Sequence, residues 1–314
     1  MITGRTLVTG AAGFAGGYLL DLLTADGRPV TGWHRPGGHA PRAVVGVEWQ
    51  GVNLLDREAV RAAIRALRPV AVYHCAGAAH VGQSWDTAAA TLRVNVLGTH
   101  HLIEALRDEA PDARILVTSS ALVYGPSDAA IDEQHVLMPG SPYGLSKLAQ
   151  ELVAVGNSDV PPAYIARPFN HFGPRQDASF VSAAFARQVA EIEAGLRPAE
   201  LSVGNLEARR DLTDVRDTVR AYQAILERGV PGRPYNVCSG TAVAVREVLD
   251  QLLSLARLPV RVVPDPARYR PNDTPLVLGD ATRISQELGW TARIPLEQTL
   301  RDLLDYWRAQ VRPA

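Results

Sequence analysis

Between a short apolar run, Thr6-Leu7-Val8-Thr9, and a helical pattern on Leu19, Leu20, Leu22 and Leu23 stand Gly10, Gly13 and Gly16. A strand that turns this tightly into a helix needs residues without a Cβ. The helix that follows aims free N–H groups and its positive dipole end at a phosphate. The G-x-x-G-x-x-G spacing alone also suits plain packing, so its context decides. That context is an alternation of strand and helix patterns. Strands are expected over residues 29–33, 70–75, 114–119 and 163–168. Helices are expected after Asp56, with Val60, Ala63, Ile64 and Leu67 on one face, and over 88–106 and 143–154. Strands separated by helices of this length imply a parallel sheet covered on both faces, with right-handed crossovers.

Ligands of such a sheet lie beyond the carboxyl ends of its strands. The expected architecture is therefore α/β: a Rossmann-type doubly wound parallel sheet over residues 1–168. A smaller α/β lobe for the substrate follows over 169–314, where the rhythm loosens. That lobe shows helices near 180–194 and 214–226 and a Pro-rich stretch over 259–275. The boundary is soft, because a strand near 235–238 can return to the first sheet.

Hydrophobic residues make up 46% and charged residues 21% of the chain, and the formal net charge is −1. A large core is available, and no basic field exists to gather nucleic acid or anionic lipid. Cys75 and Cys238 lie in separate apolar runs and are expected as free thiols of a reducing compartment. With no signal-peptide pattern and no stretch long enough for a bilayer, the chain reads as cytoplasmic, with no membrane partner. The histidines show no metal-ligand spacing with the cysteines, so no metal is expected.

The end of the second strand speaks to cofactor choice. An NAD site places an acid there for the ribose 2′-hydroxyl, whereas a 2′-phosphate repels that acid and favours Arg. Gly32-Trp33-His34-Arg35 offers no acid and one guanidinium, which favours NADP and leaves NAD open. Arg35 also fits a solvated loop cation.

Tyr143-Gly144-Leu145-Ser146-Lys147 is Y-x-x-x-K at a predicted helix start, with phenol and ammonium on one face. A free phenol titrates near 10 and is a poor acid–base at neutral pH. A nearby cation is expected to lower that value. Ser120, just past a strand end, is placed to donate to a substrate oxygen.

Taken together, Thr9-Gly10-Ala11-Ala12-Gly13-Phe14-Ala15-Gly16, Ser119-Ser120-Ala121-Leu122-Val123-Tyr124-Gly125 and the Tyr143/Lys147 pair resemble the extended short-chain dehydrogenase/reductase family of nucleotide-sugar enzymes. The resemblance runs from the first strand to the last helix. It implies Tyr143 as proton donor or acceptor, Lys147 on the nicotinamide ribose and Ser120 on the sugar oxygen. It further implies that Phe14, Ala15, Asn53, Leu54, Ala76, Gly77, Ala78, Asn95 and Arg167 line the cofactor. Relatives commonly dimerise through the helices corresponding to 88–106 and 143–154, so a homodimer is expected.

The second lobe resembles the GDP-mannose-processing branch in Arg167-Pro168-Phe169-Asn170-His171, in Gly204 to Asp211, and in Tyr269-Arg270-Pro271 followed by Leu278-Gly279-Asp280. That likeness places Asn170, Val181, Arg210 and Arg270 against the nucleotide sugar, and guanidinium forks suit a pyrophosphate. Each Arg also fits a surface cation or an ion pair with Asp211, Asp214 or Asp273. The 4,6-dehydratases of this group carry Glu two residues beyond the position of Ser120, as the base that takes a proton from carbon five. Epimerase-reductases carry Cys there. Leu122 can neither take nor give a proton. What survives is hydride transfer with Tyr143 supplying the proton, and the resemblance then implies NADPH-dependent reduction of the 4-keto group of a GDP-linked 6-deoxy sugar, giving GDP-D-rhamnose. A nucleotide-sugar 4-epimerase with tightly held NAD is the main alternative, and a non-catalytic dinucleotide sensor is a remote one.

Overall fold

The computed structural model describes residues 4–38, 42–156, 160–269 and 274–311. The first half of the chain yields β1 (Thr6–Thr9), β2 (Val30–His34), β3 (Val47–Gly51), β4 (Ala71–His74), β5 (Arg114–Thr118) and β6 (Ala163–Pro168). Helices α1 (Phe14–Ala25), α2 (Arg57–Leu67), α3 (Ala88–Leu92), α4 (Gly98–Glu109) and α5 (Pro142–Val155) connect them. The second half supplies β7 (Asn170–Phe172), α6 (Val181–Glu193), β8 (Glu200–Val203), β9 (Arg209–Asp214), α7 (Val215–Arg228) and β10 (Pro234–Val237). It continues with β11 (Ala242–Ala244), α8 (Val245–Ser254), β12 (Arg261–Pro264), β13 (Leu276–Val277), α9 (Thr282–Leu288) and α10 (Leu296–Gln310).

Seven strands form one parallel sheet in the order β10-β6-β5-β4-β1-β2-β3. β1, β4 and β6 are buried at every position, which is why they appear in the sequence as unbroken apolar runs rather than alternating ones. The chain leaves β1 toward β2 and β3, then crosses back to place β4 on the other flank of β1. Thr9 is thus paired with His74 at the point where the winding reverses. The carboxyl ends of β1 and β4 open the crevice that this topology reserves for ligands.

The local signals explain where the helices start. Asp56 accepts from Ala59 N at 3.0 Å to cap α2, and Val60, Ala63 and Ile64 face the core. Ser141 accepts from Gly144 N at 3.0 Å to cap α5, with Pro142 in its first turn. The expected single helix over 88–106 is divided. α3 passes into a π-helical turn, Arg93–Leu97, before α4 runs on to Glu109. The wider turn carries Asn95, which is completely buried.

One face of the sheet packs α1 and α7 through Leu19, Leu20, Leu23, Tyr222 and Ile225. The other packs α2, α4 and α5 through Ile64, Leu102, Leu106 and Ala154. Both α7 and β10 come from the second half of the chain, so that half completes the first sheet as well as building its own lobe. The second lobe has a separate core of α6, α8 and α10, around Phe185, Val189, Leu249 and Leu303. Its strands β7, β11 and β13 all pair with β9, and β8 pairs with β12.

One buried ion pair joins the pieces that frame the crevice. Arg167, at the end of β6, sends Nη2 to Glu151 of α5 at 2.6 Å and Nε to the same carboxylate at 2.9 Å. Their side chains are only 5% and 7% exposed, so neither charge has water as a substitute partner. The Ser119 hydroxyl also donates to Glu151, and Arg167 Nη1 donates to the Tyr124 phenol at 3.0 Å. Tyr124 in turn donates to Asn236 Oδ1 at 2.7 Å. Arg167 was expected on the cofactor; here its Nε and Nη2 donate to Glu151 and its Nη1 to Tyr124. Removing one partner strands the other charge. Glu151→Ala is therefore expected to cost about 3–5 kcal/mol of stability, and Glu151→Ala with Arg167→Met distinctly less than Glu151→Ala alone. Urea midpoints of the two variants check this; equal losses would contradict it.

Candidate active site

Gly10 closes β1 with φ +65°, and a Cβ there would meet Ala76 N at 2.6 Å. Only glycine lets the first turn pass this close to the segment that follows β4. Beyond it, α1 starts at Gly13 without a capping side chain and without an acid in its first turn. Its free N–H groups are left for an anion, and nothing there repels one. The residues present fit a dinucleotide pyrophosphate. Phe14 stacks on His171 of β7, with centroids 5.9 Å apart and planes 4° apart, so the second lobe touches the start of this helix. A hollow of about 140 Å³ opens beside the turn, lined by Ala11, Ala12, Gly13, Phe14, Trp49, Arg42 and Arg175 among others.

Arg35 follows β2 as an exposed residue, and no acid stands at that strand end. Arg42 and Arg175, which the sequence reading did not single out, border the hollow and both pair with Asp21. Asn53 and Leu54 follow β3. The Asn53 side chain accepts from Leu55 N at 3.1 Å, and the Leu54 carbonyl lies 2.9 Å from His101 Nδ1. Ala76, Gly77 and Ala78 follow β4 and cross the mouth of the crevice. Asn95 was expected on the cofactor; here its amide bonds within the protein. Oδ1 accepts from Ala78 N at 2.8 Å, and Nδ2 donates to Ser146 Oγ at 2.8 Å. Asn95 thus ties the Ala76–Ala78 segment to α5 and shapes the crevice from behind.

Ser120, Tyr143 and Lys147 meet on the opposite wall. Ser120 begins a 3₁₀ turn, Ala121–Val123, and its Oγ accepts from Leu122 N at 3.2 Å. Gly144 lets α5 sit against that turn, because a Cβ there would fall 2.3 Å from the Leu122 carbonyl. The Tyr143 phenol is thereby brought beside the Ser120 hydroxyl. Lys147 is 5% exposed and donates to the Thr118 carbonyl at 2.8 Å and to Gln150 Oε1 at 2.9 Å. Its nitrogen lies 5.9 Å from the Tyr143 ring centroid, and a Cβ on Gly77 would be 3.6 Å from it.

The electrostatics overturn one expectation. Burial pushes the Tyr143 phenol up to about 12, and the Ser120 hydroxyl offsets this only partly. The ammonium was expected to make the phenol more acidic. Its hydrogen bonds are instead directed at Thr118 and Gln150, and desolvation of the phenolate dominates. Burial also lowers Lys147 to about 8, against the opposing pull of Cys75 and Glu151. Tyr143 is therefore a protonated donor at neutral pH, and Lys147 is a cation with a narrow margin.

In the second lobe Asn170 is exposed on β7, directly beyond the end of β6. It pairs with Leu212 of β9, two residues from Arg210. Arg210 Nη1 donates to the Arg209 carbonyl at 2.8 Å. Val181 opens α6 and is 44% exposed. Arg270 lies outside the described residues. His171 is held by its stack on Phe14 and lies 3.3 Å from the Phe169 carbonyl through Nδ1. Gln150 and Glu151 were not singled out, although spacings of three and four from Lys147 put them on its helical face. His74 and Thr99, which complete the wall behind Lys147 with Thr9, were not singled out either. Among the described residues both cysteines are free, and no helix is long and apolar enough to cross a membrane.

Residues 7–303 match the family described as GDP-mannose 4,6 dehydratase. The chain is 36% identical to the GDP-6-deoxy-D-mannose reductase of Pseudomonas aeruginosa, over 99% of both sequences. It is 26% identical to human GDP-mannose 4,6 dehydratase, over 95% of this chain and 90% of that one. Among solved structures it is similar to RMD from Pseudomonas aeruginosa complexed with NADPH. That match has a TM-score of 0.84 and 33% identity, and covers 98% of this chain and 100% of the other. The UDP-glucose 4-epimerase of Thermus thermophilus in complex with NAD superposes with a TM-score of 0.86 at 29% identity, over 98% and 100% of the chains.

Proposed function

The chain belongs to the GDP-mannose 4,6 dehydratase family, and from that premise we propose that it reduces the 4-keto group of GDP-4-keto-6-deoxy-D-mannose with NADPH, giving GDP-D-rhamnose. The observation that carries this reading is Leu122, a side chain without acid–base chemistry where a dehydratase needs a carboxylate, beside an intact Ser120, Tyr143 and Lys147. Identity of 36% to a reductase over nearly the whole chain supports it.

NADPH supplies the hydride, delivered to carbon four. The N–H groups at the start of α1 hold the pyrophosphate, with Phe14 and Ala15 in that first turn. Arg35, at a strand end without an acid, favours the 2′-phosphate and so favours NADP over a tightly held NAD. Ala76, Gly77 and Ala78 pass the dinucleotide on one side, and Asn53 and Leu54 lie beyond the neighbouring strand. Lys147 holds the nicotinamide ribose. Ser120 and Tyr143 bind the carbonyl oxygen, so that preorganised donors meet the charge as it develops there. A phenol near 12 keeps its proton until an alkoxide forms, and an alkoxide is basic enough to take it. Asn170, Val181, Arg210 and Arg270 belong to the wall that receives the GDP-sugar. The chain works as a cytoplasmic homodimer: Leu145 and Leu152 lie seven residues apart on α5 and are 49% and 63% exposed, beside Leu97 at 38%. A second copy covers that stripe, and sedimentation showing a single-copy mass at micromolar concentration would contradict it.

Tyr143→Phe is expected to lower reduction of the GDP-linked 4-keto sugar by about a hundredfold or more. Binding of NADPH, followed by its fluorescence, should change little. Turnover at the original rate in this variant sinks the assignment.

A further inference from the structure

Behind Lys147 runs a chain of buried polar side chains that the proposed chemistry leaves unused. Lys147 donates to Gln150 Oε1 at 2.9 Å, and Gln150 Nε2 donates to Thr99 Oγ1 at 2.8 Å. Thr99 donates to the Asn95 carbonyl at 2.6 Å and lies 2.9 Å from His74 Nε2. His74 Nδ1 lies 2.7 Å from Thr9 Oγ1, which accepts from Ala76 N at 3.3 Å. His74, Thr99 and Gln150 are fully buried, with no exposed surface.

The direction of every bond follows from counting protons. A threonine hydroxyl has one hydrogen and two lone pairs. Thr99 directs its hydrogen at Asn95, so it accepts from both Gln150 and His74. His74 therefore carries its proton on Nε2. Burial holds this imidazole neutral, with its pKa lowered to about 3, so Nδ1 is an acceptor and Thr9 is its donor. Each hydrogen has one destination, and the hydrogen of Thr99 leaves the line for a backbone carbonyl. The chain is a fixed frame running from the end of β1 to α5, and it cannot hand protons along its length.

We propose that Gln150 is a positioning residue for Lys147: with the Thr118 carbonyl it fixes two of the three ammonium N–H directions and leaves the third for the side where Gly77 and Tyr143 stand. This rests on the role proposed above for Lys147. Being anchored through Thr99 to His74 and Thr9, the amide of Gln150 cannot swing to follow the ammonium, so the direction of the third N–H is set by the sheet itself.

A pH profile separates positioning from mere filling of space. The charged or titratable groups facing Lys147 are His74 at the end of β4, Cys75 just after it, and Tyr143 and Glu151 from α5. Glu151 is itself held by Arg167 of β6, and the charged residues of β5 and the π-helical turn, Arg114 and Arg93, are exposed. Cys75 and Tyr143 are pushed up to about 12 and His74 down to about 3, so the ammonium near 8 is the group that loses its charge in the working range. The cation is present below that pH and is lost above it. In the purified enzyme, kcat/KM for NADPH should fall on the alkaline side accordingly.

Gln150→Leu removes an acceptor from the cation and should move that limb about one unit to lower pH, with NADPH binding at neutral pH weakened about tenfold. Gln150→Glu adds a carboxylate and should move the limb about one unit to higher pH. Opposite displacements support the proposal. A limb unmoved, or moved the same way in both, overturns it even if activity falls. Should the Glu variant fail to fold, Gln150→Met and the pH dependence of its NADPH affinity decide alone, and a profile like the original overturns the proposal. Lys147→Met serves as the control: wild-type turnover there would sink the reading of the site itself, independently of Gln150.

Discussion

Burying the ammonium of Lys147 removes it from water, and the energy of that step has to be offset by fixed partners rather than mobile ones. The Thr118 carbonyl at the end of β5 and the amide of Gln150 provide them. Both are anchored elsewhere, the first by the parallel sheet and the second by Thr99, His74 and Thr9. The cation therefore reports the position of β1, β4, β5, α4 and α5 together. If any of these elements shifted, a buried charge would lose a partner, which is a strong reason for the five to stay in register.

The same burial decides which proton chemistry is available. A half-buried phenol beside a serine hydroxyl, with the cation's hydrogen bonds turned away from it, stays protonated well above neutral pH. Such a group suits the reducing direction, in which the enzyme has to give a proton to an alkoxide. It suits less well a reaction that must begin by taking a proton from an alcohol. Leu122 points the same way by omission, since a second acid–base at that position would be required to eliminate water. The site is built for one hydride and one proton.

Much of this was legible in the sequence because central parallel strands leave continuous apolar runs. Thr6–Thr9 emerged with the ends expected of it, and Asp56 capped the helix it was expected to cap. The glycine spacing and the Tyr143/Lys147 pair mark local geometry, so they too could be read, and Ser120 joins them in space. What escaped was tertiary. The partner of Arg167 is a carboxylate 16 residues away, and nothing nearby in sequence marks the two as a buried pair. Asn95 turns inward only because a π-helical turn interrupts a pattern that otherwise reads as one helix. The acidity of Tyr143 depends on how much water surrounds it, which a one-turn spacing to lysine does not encode.

The central claim is that hydride passes directly to carbon four of the sugar. It is tested most directly with NADPH carrying deuterium at its transferable position. Incubation with GDP-4-keto-6-deoxy-D-mannose should give GDP-D-rhamnose with one deuterium on carbon four, read by NMR, and one oxidised dinucleotide per product. Product formed without deuterium at that carbon, or without net consumption of NADPH, would contradict the account.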